Sequence, residues 1–462
     1  MSAHENIGRR NGSGRRTFLK QAAAAAAVTI VPRHVLGGAA GPAPSEKLNL
    51  AGIGVGGMQG LGDVRSVSGE NIYALCDVDQ NHLNKAAQQF PKAKLYRDFR
   101  EMLDKEHKNL HGVTVTIPDH MHATAAVWAM ERGLGVYCQK PLTQTVWEAR
   151  LLANAAKKYK VATQMGNQGY SHVATRIACE SIWNGDIGDV TEVHSWHGGG
   201  FSRGIVKWPE AEPVPPTLDW NLWQGRAQER PYSSKIHPIH WRGFLDYGTM
   251  MIGDWGIHQY GPANWALGLG ETSPTSVQCF AVEGVNPVTY PNYACKFQFP
   301  ARPCPYVKSG TMPPVAVYWY EGSMTKLFKP PQGLTAEDLK SINQVFVGTK
   351  GFLGTSGRGE GVTLLPRPKD GSRLQPPEVL KRSPGHFQDW LRALRGGEPA
   401  CSNFTISGPY TEWMLLGAIS WRFPNEELKW DSKNLRFTNN EKANEFVRPQ
   451  FRKGWELKEI TV

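Results

Sequence analysis

The sequence predicts two domains: an α/β unit on a parallel sheet, then an α+β unit with a large open, mostly antiparallel sheet. Three observations predict this. Between Lys47 and Gln168 short apolar runs alternate with helical stretches, the pattern of βαβ units. Beyond residue 275 the apolar runs read as strands with no helix between them. The chain has 462 residues, and about 420 remain after an atypical N-terminal segment, a length that suits two domains. The reading divides residues 1–44, 45–168 and 169–462 into a leader with linker, a first domain, and a second domain for substrate and subunit contacts.

The N-terminal segment has the parts of an export signal. Arg9, Arg10, Arg15 and Arg16 form a basic front, Ala22 to Val31 an apolar stretch, and Gly38-Ala39-Ala40 a small-residue cleavage region. Arg15-Arg16-Thr17-Phe18-Leu19-Lys20 resembles a twin-arginine signal, a receptor-read address. The apolar stretch is too short to span a bilayer. A retained tethering helix is the alternative. The expectation is a periplasmic or secreted protein that engages the twin-arginine export machinery after folding. Folding first suits a protein that must load a cofactor inside the cell.

The first domain opens with Leu48 to Ile53, an apolar strand running into Gly52, Gly54 and Gly57 in G-x-G-x-x-G spacing. A helix is expected over Met58 to Ser68, weakened by Gly60 and Gly62, then a strand over residues 71–76 that ends in Asp77. Strand, glycine turn, helix, strand and acid in that order are the Rossmann dinucleotide fingerprint. The glycines make the tight turn and let the backbone approach a pyrophosphate. Asp77 would bond a ribose hydroxyl and repel a 2′-phosphate, so NAD is expected and NADP is less favoured. Strands follow over residues 111–117, 134–138 and 161–165, with helices over 123–132 and 145–159. Thr145 and Glu148 are spaced as a capping box. Ligands bind at the carboxyl ends of such strands. Met58, Pro118, His120, Gln139, Lys140 and Asn167 are therefore the further cofactor candidates.

In the second domain a helix is expected over 171–184 and a strand over 191–197. A Pro/Trp-rich excursion from Trp208 to Trp223 is the kind of insertion that shapes a pocket or a subunit contact. Strands are expected over 276–282, 293–299, 315–320 and 344–347, and closing helices over 383–395 and 410–421. No internal repeat is present. Tyr170, His172, His197, Arg203, His240, Trp241 and Arg242 are substrate candidates by location; structural roles suit each as well. Of sixteen tryptophans many fall between Trp196 and Trp265, where aromatic faces can pack a core or stack on sugar rings.

Composition narrows the classes. The net charge is +11, of which residues 1–40 carry six Arg/Lys against one Glu. The remainder is mildly basic and holds no dense basic run, so nucleic acid is not expected as a partner. None of the seven cysteines forms C-x-x-C, which argues against a thiolate zinc site. Cys76 and Cys138 read as core thiols, and Cys295 with Cys304 could bridge a hairpin. His194, His197, His237 and His240 match no common metal spacing, so no metal is expected.

From Lys47 to the 420s the chain resembles the Gfo/Idh/MocA oxidoreductases. The marks are the glycine fingerprint, Thr116-Ile117-Pro118-Asp119-His120, Gln139-Lys140-Pro141, and Asp246 to His258 with its D-x-G-x-H ending. The family usually has Glu-Lys-Pro; Gln139 removes that charge beside the lysine. The resemblance implies that Lys140 touches the nicotinamide ribose and the substrate hydroxyl. It implies that His258 takes the hydroxyl proton and that Asp254, four residues earlier on one helix face, orients it. It also implies a sheet face used for dimers or tetramers.

The expected function is oxidation of a ring hydroxyl of a small-molecule sugar or glycoside, with tightly bound and internally recycled NAD, since no free NAD pool exists outside the cell. A redox-neutral glycoside hydrolase, working by oxidation, elimination, hydration and reduction, is the alternative. A non-catalytic sugar-binding protein is the second alternative.

Overall fold

The computed structural model describes residues 46–462. The twin-arginine-like stretch lies outside the described residues. Leu48–Val462 is one compact unit holding both expected sheets. Among the described residues no helix is long and apolar enough to cross a membrane.

The first sheet has six parallel strands: β1 Asn49–Ile53, β2 Asn71–Cys76, β3 Lys94–Tyr96, β4 Gly112–Val115, β5 Gly135–Cys138 and β6 Thr163–Met165. Their order is β3-β2-β1-β4-β5-β6. Chain order reverses between β1 and β4, and the crevice for a ligand opens there. Every residue of β4 and β5 is buried, because helices cover both faces of a parallel sheet. The helix Val146–Tyr159 carries the expected capping box, with the Thr145 side chain accepting from Glu148 N and Glu148 reaching back to Thr145 N. The helix after the glycine turn is only Gly60–Ser66; the turn takes up Met58 and Gln59. Two helices that the sequence reading did not expect follow, Gln80–Gln89 and Phe99–Glu106, and the helix expected over 123–132 begins at Asp119, four residues earlier, with Pro118 in an extended conformation as its N-cap.

The second sheet is mixed. Its order is β15-β14-β13-β7-β12-β9-β8-β16-β17, where β7 is Val190–His197, β8 Ser276–Glu283, β9 Asn292–Phe299 and β12 Val315–Glu321. β13 is Gln344–Gly348, β14 Phe352–Ser356, β15 Gly361–Leu365, β16 Glu427–Asp431 and β17 Arg436–Phe437. All neighbours run antiparallel except β7 and β12. The short β10 Arg302–Pro303 and β11 Thr311–Met312 pair separately. The Phe404–Ser420 helix joins the two layers. It is apolar all round and buried almost throughout. Gly408 meets Ala149 and Ala153 of one domain, and Gly417 meets Phe297 and Cys295 of the other.

The domains are not cut cleanly in sequence. The helix His386–Leu394 packs Trp390 and Leu391 against Leu50, Leu75 and Tyr137 of the first sheet. The chain end returns as well, with Trp147 Nε1 donating to Glu459 at 2.8 Å. All seven cysteines are free. Cys295 is buried in β9 and not bonded to Cys304, which corrects the bridge the sequence allows.

Candidate functional site

A cavity of ≈ 250 Å³ runs along the carboxyl ends of β1, β2, β4 and β5 to the second sheet. At its first end the chain turns at Gly54, whose φ is +79°; a Cβ there would stand 2.3 Å from the Thr116 oxygen. The turn is held from below. Asp77 Oδ2 accepts from Val55 N at 2.9 Å and Gly56 N at 3.0 Å, while Oδ1 accepts from Asp79 N at 2.9 Å. His82 Nδ1 stands 3.5 Å from Oδ1, and its imidazole is raised by the Asp77 carboxylate against the cost of burial.

The fit to a dinucleotide can be judged from these residues. Gly57 has φ +63° and open space where a Cβ would point, so the turn presents bare backbone to the cavity. Helix Gly60–Ser66 has no side-chain cap. Asp77 borders the cavity and keeps acceptor capacity on Oδ1. The residues fit NAD.

Gln139 explains the departure at the Lys-Pro motif. Its Nε2 donates to Asp63 Oδ2 at 2.8 Å, and Asp63 also accepts from Gln59 and Thr116. Asp63 is fully buried; burial raises its carboxyl, opposed by these three donors. A glutamate at position 139 would bury two carboxylates side by side. An amide supplies the donor that Asp63 needs.

Lys140 leads into a cis peptide at Pro141. Its Nζ donates to Asp254 Oδ1 at 2.7 Å and to the Asp254 carbonyl at 3.0 Å. Asp254 and His258 do not share a regular α-helix: Ile252–Gly256 is a π-helical turn followed by Ile257–Gln259. Such turns recur at functional sites. Gly253 lets this turn close on the motif, since a Cβ would sit 3.2 Å from Pro141 and 2.0 Å from Thr249 Oγ1. Glu321 lies beneath, accepting from Trp319 Nε1 at 2.9 Å and from Met251 N at 3.4 Å.

The charges are uneven. Burial pushes the Asp254 carboxyl up, but Lys140 and Arg242 outweigh it and hold the group below the usual carboxylate range. Arg242 Nε stands 3.5 Å from Asp254 Oδ1. His258 borders the cavity, and its Nδ1 has no hydrogen-bond partner. Burial pushes its imidazole well below the usual range, and Lys140 and Arg358 add to the push. Asp119, accepting from Thr249 Oγ1 at 2.7 Å, is pushed up to about 7 by burial.

Of the expected site residues, Gly54, Gly57, Met58, Asp77, Pro118, Gln139, Lys140, Trp241, Arg242, Asp254 and His258 border this cavity. Gly52 lies in β1 beneath the turn, against Val64. His120 is fully buried between Trp223 and Tyr247, its Nε2 3.2 Å from the Trp223 oxygen. Asn167 is buried, with neither side-chain polar atom partnered. Tyr170 stacks on Trp265 at 4.9 Å, His197 on Trp255 at 5.0 Å, and Arg203 is exposed at φ +46°. None of these six borders the cavity.

Sequence reasoning missed Asp63, Asp119, Trp255 and Arg358. Asp119 and Trp255 lie inside the motifs already singled out, so their position was signal enough. Asp63 and Arg358 had no local signal. The Pro/Trp-rich excursion and the segment that follows it fold back as a roof: Gln80 N donates to the Thr217 oxygen at 2.9 Å, Arg226 pairs with buried Glu148, and Trp223 of the excursion with His237 and Trp241 of the following segment border the cavity.

Two family descriptions match this chain. "Oxidoreductase family, NAD-binding Rossmann fold" of the Gfo/Idh/MocA group covers residues 48–167, and its "C-terminal alpha/beta domain" covers 199–337. Together they span more than half of the chain. The D-apiose dehydrogenase of Paraburkholderia graminis is 30% identical over 139 residues, covering 30% of this chain and 36% of that protein. The inositol 2-dehydrogenase of Salmonella typhimurium is 25% identical over 264 residues, covering 55% of this chain and 69% of that one. Among solved structures, the Bordetella pertussis WlbA dehydrogenase in complex with NADH and UDP-GlcNAcA aligns with TM-score 0.53 at 14% identity. That alignment covers 83% of this chain and 99% of the other. An NAD-binding protein from Listeria innocua gives TM-score 0.53 at 16% identity, covering 83% and 99%. At these identities the structural likeness speaks for the fold.

Proposed function

We propose that this chain, which belongs to the Gfo/Idh/MocA family of NAD-binding oxidoreductases, oxidises a secondary hydroxyl of a sugar or cyclic polyol. One observation carries the reading: the Lys140–Asp254 pair and the unpartnered His258 face the same cavity as the glycine turn and Asp77.

Bound at the turn, NAD supplies the hydride acceptor. The chain's own groups do the rest. Lys140, oriented by Asp254, donates to the substrate hydroxyl and stabilises the charge that develops on its oxygen. His258 is neutral and takes the hydroxyl proton. Asp254 stays ionised and keeps the Lys140 ammonium in place. Trp223 of the excursion and Trp241 beyond it exclude water. The dehydrogenase names of the relatives, on apiose and inositol, support a polyhydroxylated substrate.

The basic N-terminal stretch supports export of the folded protein with NAD retained and recycled between successive substrates, and the open second sheet supports a dimer or tetramer. The test is mass spectrometry of products from nucleotide-loaded protein and a panel of sugars, polyols and glycosides. A dehydrogenated product matched by a reduced acceptor is expected. Free sugar and aglycone, with the cofactor unchanged overall, would instead mean redox-neutral hydrolysis, and no product at all would mean a binding protein.

A further inference from the structure

Three cations stand at the second-sheet end of the cavity beside two carboxylates, Asp254, which Lys140 and Arg242 hold ionised, and Asp119, which burial pushes up to about 7; Arg358 is the exposed member of the three. Lys140 is committed to Asp254 at 2.7 Å. Arg242 reaches that carboxylate only at 3.5 Å, and its guanidinium lies over the Trp241 ring at 4.3 Å. Among the described residues Arg358 makes no ion pair and no side-chain hydrogen bond; its guanidinium stands 5.8 Å from the Trp255 ring centroid. The fingerprint glycines belong to the β1 turn and not to this cluster, so a cofactor pyrophosphate does not explain the excess.

Arg358 is carried on a fixed support. It sits in the turn between β14 and β15. Thr175 Oγ1 lies 2.8 Å from the Gly169 oxygen and 3.0 Å from the Gly359 oxygen. One buried hydroxyl thus ties the turn to the segment after β6, and Arg358 borders the cavity beside Trp255 and His258. A guanidinium presents a planar fork that matches a carboxylate. Cations lining a low-dielectric cleft concentrate anions there.

We propose that the substrate is an acidic sugar of the uronate class, its carboxylate bound by Arg358 and Arg242 and its ring packed against Trp255. This rests on the reading that the cavity takes a sugar. It also removes a difficulty in that reading. Arg358 is one of the charges that hold the His258 imidazole low, and a carboxylate on Arg358 cancels that repulsion when a base is needed.

The test is calorimetric titration of nucleotide-loaded protein with glucuronate, galacturonate and mannuronate beside their neutral parent sugars. At least one acid should bind about tenfold or more tightly than its parent, the scale of a charge-assisted bidentate contact. Arg358→Gln should bring that ratio to within about twofold and leave the parent's affinity unchanged, and Arg358→Lys should keep part of the preference. Acids binding no better than parents would overturn the proposal. So would equal weakening of acid and parent in Arg358→Gln, or preference for a sulfate ester over the carboxylate. Turnover of neutral sugars with no gain for any acid would sink the uronate assignment and leave the oxidoreductase reading standing. Tight, Arg358-dependent uronate binding without turnover would do the reverse.

Discussion

At the first sheet, Gly54, Gly57 and Asp77 reach the cavity from two loops within 25 residues of Gly52; at the second, Asp254 and Arg358 come from segments 104 positions apart. The glycine-turn end is made mostly of backbone, with a turn that presents bare backbone to the cavity and space left by missing side chains. The second-sheet end is made of side chains, and its members meet only because a π-helical turn, the Lys140-Pro141 turn and a hairpin tip converge. Backbone sites leave a spacing in the sequence because neighbours in the chain do the work. Side-chain sites assembled by a large mixed sheet leave none.

The comparison can be broken most sharply at Lys140. Lys140→Ala should lower kcat by about a thousandfold or more while NAD remains bound, since the lysine acts on developing charge. His258→Ala should behave alike. Single-turnover kinetics beside fluorescence of bound nucleotide separates the two readouts. Near-normal rates in either variant would show that the second-sheet end does not do the chemistry assigned to it.

Gly54→Ala tests the opposite end. The new Cβ meets the Thr116 oxygen at a left-handed φ, so about 2–4 kcal/mol of stability should be lost, and nucleotide binding with it. Thermal unfolding with and without NAD reads both. Unchanged nucleotide affinity would show that the turn tolerates a side chain and that backbone geometry is not what defines this end.

A smaller effect should come from Glu321, under the π-helical turn. Burial pushes its carboxyl up to about 8, and that of Asp119 to about 7. Between the ordinary carboxylate value and these values the folded protein holds protons that the unfolded chain has released. Stability therefore falls as pH rises through that window. The buried His120, His122 and His386, held low at about 3 to 4, act in the opposite sense, but only below 6.5. From pH 6.5 to 8 those histidines no longer oppose the acids, while His82, raised by Asp77, adds to the same decline, and Glu321→Gln should remove about 1–2 kcal/mol of it. Denaturant titrations across that range check it; an unaltered slope would mean that Glu321 is ionised in the fold.

The smallest change belongs to the joint between the domains. Thr145→Ala removes one half of the capping box at Val146–Tyr159 and should cost about 1 kcal/mol with kcat unaltered. A matching fall in kcat, measured beside the melting temperature, would show that this helix end positions Lys140.

What could be read from residues alone follows this division. The capping box at Thr145 rests on near neighbours, and the parallel strands, the glycine turn and the acid after β2, though they pair over 20 or more positions, carry residue types and spacings that are visible in one dimension. Gln139 stood out only as an anomaly, because its reason, the buried carboxylate of Asp63, lies 76 positions away in the helix after the glycine turn. His120, Asn167 and Tyr170 sit at strand ends, where polar residues commonly face a ligand. In the folded chain the excursion and the Phe404–Ser420 helix cover that side and draw their side chains into the interior. Arg358 had nothing to announce it, since Ser356 to Gly361 reads as an ordinary turn. The sequence by itself determined the alternation of strands and helices around β1, the glycine turn and the kinds of group available at the cavity, because residue spacing and hydrophobic periodicity set these. Tertiary structure alone decided which cations face one another across the cavity, because that depends on how two sheets pack through a shared buried helix, and packing is a property of the whole chain.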